Sequence, residues 1–146
     1  MIKLYTIGFA GKSAETFFDI LTNAGVKKIV DTRINHTSQL AGFAKGSDLK
    51  FLAKKVGAMS YEHDLDLAPT KELLKSYRDK NISWEEYETE YLNLLDMRKI
   101  ATKINIDKLH KNCLLCSEHT PEKCHRRLLA DYLKHVKNEI EIVHLI

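Results

Sequence analysis

Short apolar runs alternate with amphipathic stretches along most of the chain. The runs lie at residues 3–7, 26–30, 59–63, 113–115 and 140–145. Their lengths are those of short buried strands. Between them, apolar residues recur three and four positions apart, and capping residues such as Ser13, Thr70 and Ser83 come just before these stretches. This spacing predicts amphipathic helices between the strands.

Alternating strands and helices favour a mostly parallel sheet with right-handed crossovers and helices on both faces. The stretch 70–109 interrupts the alternation, because it predicts three helical segments in a row. Its aromatic residues Trp84, Tyr87 and Tyr91 have helical spacing, which is typical of core packing. We therefore predict a single-domain, three-layer α/β fold over residues 1–146. It should have about five strands and a helical insertion before the fourth strand.

Composition narrows the class of protein. The chain is 44% hydrophobic and 29% charged, as is usual for a globular protein. It has no apolar run of membrane-spanning length and no signal-peptide pattern, and its three cysteines are an odd number. These features favour a cytoplasmic protein without a membrane partner. The net charge of +3 permits a nucleic-acid partner but does not demand one.

Residues that can carry chemistry follow four of the predicted strands. Gly8 follows the first strand, Asp31 and Arg33 end the second, His63 ends the third, and residues 116–118 follow the fourth. Because the carboxyl ends of parallel strands share one edge of a sheet, we expect these residues to converge there. Arg33 would bind an anion and Asp31 would orient a hydroxyl group or a proton. The alternative is a local ion pair that only shapes the loop.

The segment 116–127 is the densest in reactive side chains. Thr120 and Pro121 predict a helix start, which would place Cys124 and His125 in its first turn. The positive end of the helix and the adjacent basic residues would lower the pKa of the Cys124 thiol and make it a candidate nucleophile. A buried structural cysteine is the alternative.

The residue types in this segment are those of a possible zinc site. Cys116, His119, Cys124 and His125 are all residue types that bind it. Their spacing is nevertheless atypical of structural zinc sites, and adjacent Cys and His side chains on a helix diverge. We therefore predict no metal ligands and leave the cofactor open. Redox chemistry of Cys116 and Cys124 is a further possibility.

Three motifs together resemble the domain of unknown function 488 family over essentially the whole chain. They are Thr6-Ile7-Gly8, Asp31-x-Arg33 and Leu114-Leu115-Cys116-x-Glu118-x-x-Pro121-x-x-Cys124-His125-Arg126. Further similar positions are Thr32, Asn35, Ser38, Phe43 and Tyr61. The resemblance implies a small cytoplasmic α/β domain of unestablished activity. Many members have a histidine where this chain has Phe9, which implies a missing step or a different substrate if that histidine is catalytic.

The favoured hypothesis is an enzyme that acts on a small anionic or nucleotide-like substrate at the carboxyl edge of the sheet. The predicted catalytic residues are Asp31, Glu118, Cys124 and His125. The predicted substrate-binding residues are Gly8, Arg33, Cys116 and Arg126. The alternative is a non-catalytic nucleic-acid- or protein-binding module whose Cys/His cluster is structural or metal-bound. The substrate and the oligomeric state do not follow from the sequence.

Overall fold

The computed structural model of the chain describes residues 1–36 and 42–146. Within them the strands are β1 Ile2–Gly8, β2 Lys28–Asp31, β3 Ser60–His63, β4 Asn112–Cys116 and β5 Ile140–His144. The helices are α1 Ala14–Ala24, α2 Gly46–Gly57, α3 Lys71–Arg78, α4 Trp84–Met97, α5 Ile100–Lys103 and α6 His125–Val136. Short 3-10 turns lie at Gly42–Ala44, Leu65–Leu67 and Ile106–Leu109. Ser38, one of the positions that resemble the family, lies outside the described residues.

The five strands form one all-parallel sheet in the order β3-β2-β4-β1-β5. The predicted α/β class, the parallel sheet and the helical insertion before the fourth strand are confirmed. β4 lies at the centre between β1 and β2, with Gly8 opposite Cys116 and Asp31 opposite Leu115. The ends of these three strands are therefore neighbours at one edge of the sheet.

Two apolar cores cover the two faces of the sheet. On one face, α1 and α2 pack through residues such as Phe17 and Leu49 against Leu115 of β4. On the other face, α3, α4 and α6 pack through residues such as Tyr91 and Leu129 on a core that includes Leu114. Chain segments that leave neighbouring strands toward opposite faces open a crevice between them, where open α/β sheets bind ligands.

The helical insertion begins with well-capped helices. Thr70 caps α3, and the side chain of Ser83 accepts a hydrogen bond from the backbone of Glu86, whose side chain accepts one from the Ser83 backbone. This reciprocal capping box is the one that the sequence predicts. Among the helices of the described residues, none combines the length and the apolarity that crossing a membrane requires.

The last helix begins later than the sequence predicts. α6 starts at His125, and Cys124 is its N-cap with an extended backbone (φ −136°, ψ 139°). The predicted start at Thr120 is wrong, because residues 117–124 form bends and turns. The buried Arg126 donates hydrogen bonds to the carbonyl oxygens of Glu118 and His119. These contacts hold residues 117–124 as a loop over the end of β1, so tertiary bonding overrides the local helix signal.

Candidate functional site

A cleft of about 550 Å³ opens at the carboxyl edge of the sheet. Its floor is formed by residues that follow β2 and β4 or begin α6, and its outer wall by α3 and the start of α4. Five of the eight predicted site residues line it, namely Arg33, Cys116, Glu118, Cys124 and His125. Asp31, Gly8 and Arg126 do not line the cleft.

Asp31 lies behind the cleft and fixes Arg33. It is fully buried, and its carboxylate accepts hydrogen bonds from Nε and Nη2 of Arg33 at 2.9 and 2.7 Å. The Tyr61 hydroxyl donates to the same carboxylate at 2.6 Å. Burial lowers the pKa of the Arg33 guanidinium and Asp31 raises it, with a net upward direction. Arg33 therefore stays charged although it is only 6% exposed.

One nitrogen of the Arg33 guanidinium remains without a partner. Nη2 also donates to the carbonyl oxygen of Ala44 at 2.7 Å, whereas the buried Nη1 has no hydrogen-bond partner among the described residues. The guanidinium carbon lies 5.2 Å from the ring centre of Phe9, which also lines the cleft. Phe9 therefore places an apolar ring against the Arg33 guanidinium.

Three soft side chains meet at the floor of the cleft. The sulfur atoms of Cys116 and Cys124 are 2.6 Å apart, and Nδ1 of His125 is 3.9 Å from the Cys116 sulfur. These three atoms all lie within 4.8 Å of one another. Each thiol is only 3% exposed. We call these residues the Cys–His cluster.

Hydrogen bonds between His125 and Thr32 determine which nitrogen of the imidazole ring faces the Cys–His cluster. Nε2 lies 2.8 Å from the carbonyl oxygen of Thr32 and 3.0 Å from the Thr32 hydroxyl, which itself donates to the carbonyl oxygen of Leu115. Both Thr32 atoms can therefore only accept at Nε2, so Nε2 carries a proton. Nδ1 is left facing Cys116.

The two cluster thiols differ in acidity. A hydrogen bond from Cys124 lowers the pKa of Cys116, as does the nearby His125, and together they outweigh burial. Burial raises the pKa of Cys124, and the neighbouring Cys116 raises it further. This is opposite to the direction expected for a thiol in the first turn of a helix. Cys116, and not Cys124, is therefore the more acidic thiol of this pair.

Gly8 and Arg126 shape the loop over the cleft instead of lining it. Arg126 is fully buried, and its Nη1 donates to the carbonyl oxygen of Glu118 at 2.7 Å. A Cβ atom at Gly8 would lie 1.5 Å from that same oxygen. Both residues thus hold residues 117–119 against the end of β1. Neither residue lines the cleft, and the expectation that they contact a substrate stays a prediction.

The structure also separates the zinc-binding residue types. His119 lies by α1, where its Nδ1 is 3.2 Å from the carbonyl oxygen of Ala10 and 3.3 Å from the Lys12 amine. Cys124 and His125 converge, contrary to expectation, because Cys124 precedes the helix in extended conformation. The divergence of about 100° between neighbouring helical positions does not apply to this pair, since only His125 is helical.

A protein-family model with the description "Domain of unknown function DUF488" matches residues 13–133 of the chain. The chain belongs to the DUF488 family. No curated protein and no solved structure is significantly similar to it. The matched range contains the Cys–His cluster, Asp31 and Arg33, and the family description names no activity. Membership of the DUF488 family therefore indicates no reaction, and only the geometry of the site bears on the chemistry of this chain.

An aromatic wall of the cleft is absent from the sequence prediction. The rings of Tyr77, Trp84 and Tyr87 lie with their centres 5.0–5.5 Å apart, and all three residues line the cleft. Tyr87 and Tyr91 lie in the core as predicted, whereas Trp84 is partly buried, packs against that core and also lines the cleft. The signal available in the sequence was that the end of α3 and the start of α4 both carry aromatic residues.

Basic side chains surround the mouth of the cleft. Lys71, Lys75, Arg78 and Lys123 line it together with Arg33, against the acidic residues Asp79 and Glu118. Lys75 and Asp79 neutralise each other through an ion pair at 2.5 Å. The remaining excess of positive charge favours an anionic ligand. These cations are scattered in sequence, so only the fold brings them together.

Proposed function

We propose that this DUF488 chain is an enzyme that binds a small anionic, nucleotide-like substrate in the cleft and acts on it at the Cys–His cluster. The observation that carries the proposal is that one cleft is lined both by the cluster and by Arg33, whose buried Nη1 has no partner among the described residues. A volume of about 550 Å³ is typical of small-molecule sites.

Arg33 is the group proposed to bind the anion. Leaving a buried charged donor without a partner costs free energy, and an anionic oxygen at Nη1 would remove that cost. Asp31 and Tyr61 hold the guanidinium at fixed orientation, so little conformational entropy is lost on binding. Asp31 therefore acts through Arg33, as a positioning residue and not as a catalytic one.

The aromatic wall is proposed to bind the ring of the substrate. Tyr77 and Trp84 are partly exposed, and stacking of a nucleobase on an aromatic side chain contributes about 1–3 kcal/mol. The basic residues Lys71, Arg78 and Lys123 add charge at the same mouth. A flat ring joined to an anionic group matches this combination better than a simple inorganic anion.

The reactive group is proposed to be the Cys–His cluster, which lines the cleft with Glu118. Glu118 is the carboxylate placed to exchange a proton with a bound substrate. Cys124 contributes through its contact with Cys116.

Trp84 is the only tryptophan of the chain, so its fluorescence reports directly on the cleft. We expect titration with adenosine monophosphate to change this fluorescence, and inorganic phosphate to bind more weakly. The double variant Asp31→Asn/Arg33→Met removes both charges of the buried pair at once. It should bind the nucleotide at least about tenfold more weakly, the minimum for a lost charge-assisted hydrogen bond.

Arg127→Met is the matched control, since Arg127 pairs with Glu88 and Asp131 away from the cleft. Equal affinity in the folded double variant and in this control would overturn the role of Arg33. Binding of a single-stranded oligonucleotide without any binding of the mononucleotide would instead support a nucleic-acid-binding module.

A further inference from the structure

We infer that Cys116, Cys124 and His125 form a three-ligand site for a divalent, thiolate-preferring metal ion of the zinc class, with one coordination position open to the cleft. The ligand set stands on its own geometry. Its role as the reactive centre rests on the function proposed above.

The donor atoms of the three residues match those of a zinc site. Two thiol sulfurs and one imidazole nitrogen lie within 4.8 Å of one another and are the ligands that zinc prefers. Tetrahedral coordination with zinc–sulfur distances of about 2.3 Å places two sulfurs about 3.8 Å apart. The sulfurs lie 2.6 Å apart, so a bound ion would separate them by roughly 1 Å.

The orientation of the His125 ring also suits metal binding. Its Nε2–H donates to the carbonyl oxygen of Thr32, so Nδ1 is the nitrogen that faces Cys116 and would bind an ion, releasing any proton it carries. Metal-binding histidines almost always donate their other N–H to a carbonyl or carboxylate oxygen in this way. The hydroxyl of Thr32 is held as a second acceptor by its own bond to Leu115. The bonds to Thr32 thus hold the ring so that Nδ1 is the nitrogen presented to a metal ion.

The backbone explains why these three residues can converge. Cys116 ends β4, Cys124 is the extended N-cap of α6, and His125 is its first helical residue. The loop between the two cysteines is tied down by Arg126 through the carbonyl oxygen of Glu118. A site held by a strand end and a helix start is more precise than one carried by a free loop.

One side of the Cys–His cluster is open to the cleft. All three ligands line the cleft, so a fourth ligand would come from water or substrate. Three protein ligands with an open position are typical of catalytic zinc sites, whereas structural sites are closed by a fourth residue. A bound ion would act there as a Lewis acid toward a substrate held by Arg33.

The test uses the full chain, reduced and then stripped of metal with a chelator. Titration with Co²⁺ should give one bound ion per chain, with thiolate-to-cobalt charge-transfer absorption and the visible bands of tetrahedral cobalt. Zn²⁺ should displace it and should protect two of the three thiols from alkylation. The protected residues should be Cys116 and Cys124.

Isosteric variants identify the ligands. Cys116→Ser and Cys124→Ser should each weaken Co²⁺ binding by at least about 100-fold, since changes to orienting groups alone cost roughly 10–100-fold. Thr32→Val should weaken it by about tenfold, the lower end of that range. Cys113→Ser is the matched control, because Cys113 is equally buried but faces the other core. It should leave the stoichiometry and spectrum unchanged.

Failure of the reduced protein to bind Co²⁺ or Zn²⁺ overturns the inference, and so does equal loss of binding in Cys113→Ser. Should a serine variant not fold, thiol protection by Zn²⁺ in the unaltered chain decides the question. Metal binding without nucleotide binding would sustain the metal site and remove the proposed function. Nucleotide binding to a chain that takes up no metal would do the reverse.

Discussion

The Tyr61 hydroxyl donates a hydrogen bond of 2.6 Å to the fully buried carboxylate of Asp31. This bond joins β3 to β2 diagonally, because Tyr61 is paired with Ile29 and Asp31 with His63 in the register of the two strands. Because the same carboxylate holds Arg33, Tyr61 controls the position of the proposed anion-binding group without contacting the cleft.

Tyr61→Phe should lower the free energy of unfolding by about 1.5–3 kcal/mol, the range for a hydrogen bond to a charged group. It should also weaken binding of adenosine monophosphate, since Arg33 loses part of its support. Urea unfolding and Trp84 fluorescence measure the two effects. Tyr5→Phe removes a bond to the carbonyl oxygen of Ala24 and should change stability alone. A Tyr61→Phe protein with unaltered nucleotide affinity would contradict the supporting role.

Gly8→Ala should disrupt the loop over the cleft. The added Cβ would meet the backbone oxygen of Glu118 at 1.5 Å, so residues 117–119 must shift. We expect a loss of about 1–3 kcal/mol of stability or more, as for other overpacking changes, together with weaker metal binding. Gly42→Ala is the control, because its Cβ would meet no atom within 4 Å. Equal melting temperatures for the two variants would show that the loop yields without cost.

In chelator-treated, reduced protein, iodoacetamide should alkylate Cys116 before Cys113. The pKa of Cys116 is lowered by its hydrogen bond from Cys124, whereas burial raises the pKa of Cys113. The thiolate is the reacting species, so the more acidic thiol should react first. Peptide mass spectrometry after short labelling times gives the order. Labelling of Cys113 first would contradict the greater acidity of Cys116, since Cys113 is no more accessible than Cys116.

His144 should make the protein less stable as the pH falls. Burial lowers the pKa of His144, and the charge of Arg126 lowers it further. Its folded-state pKa thus lies below the unfolded value of about 6.5, so the unfolded chain binds more protons as the pH drops through that value. The stability that neutral His144 contributes is fully present above that pH and declines below it. His144→Gln should lose less stability than the unaltered chain between about pH 7.5 and 5.5, by urea unfolding. A constant difference between the two proteins would exclude this contribution.

Local signals in the sequence were sufficient for most of the elements. Ser13 and Gly25 bound α1 as their capping preferences predict, and Ser83 opens α4 with its capping box. Thr120 and Pro121 carry an equally good local signal, yet no helix begins there. The difference is the buried Arg126, whose side chain donates to the carbonyl oxygens of Glu118 and His119, and these bonds compete with helix formation from Thr120. Local patterns contain no information about such a partner.

The candidate site was predictable to the extent that it follows strand ends. Arg33, Cys116 and His125 could be expected at one edge because the strands are parallel. The aromatic wall could not, since the position of Tyr77 and Trp84 over that edge depends on where the insertion packs. The pairing of Asp31 with Tyr61 depends on the strand order, which no local pattern determines.

The floor and the wall of the cleft come from separate parts of the chain. The floor is carried by β2, β4 and the start of α6, whereas the aromatic wall belongs to α3 and α4. Exchange of the segment between β3 and β4 would therefore replace the ring-binding surface and leave the reactive groups untouched. Such a division makes the insertion the natural place to redesign ligand selectivity.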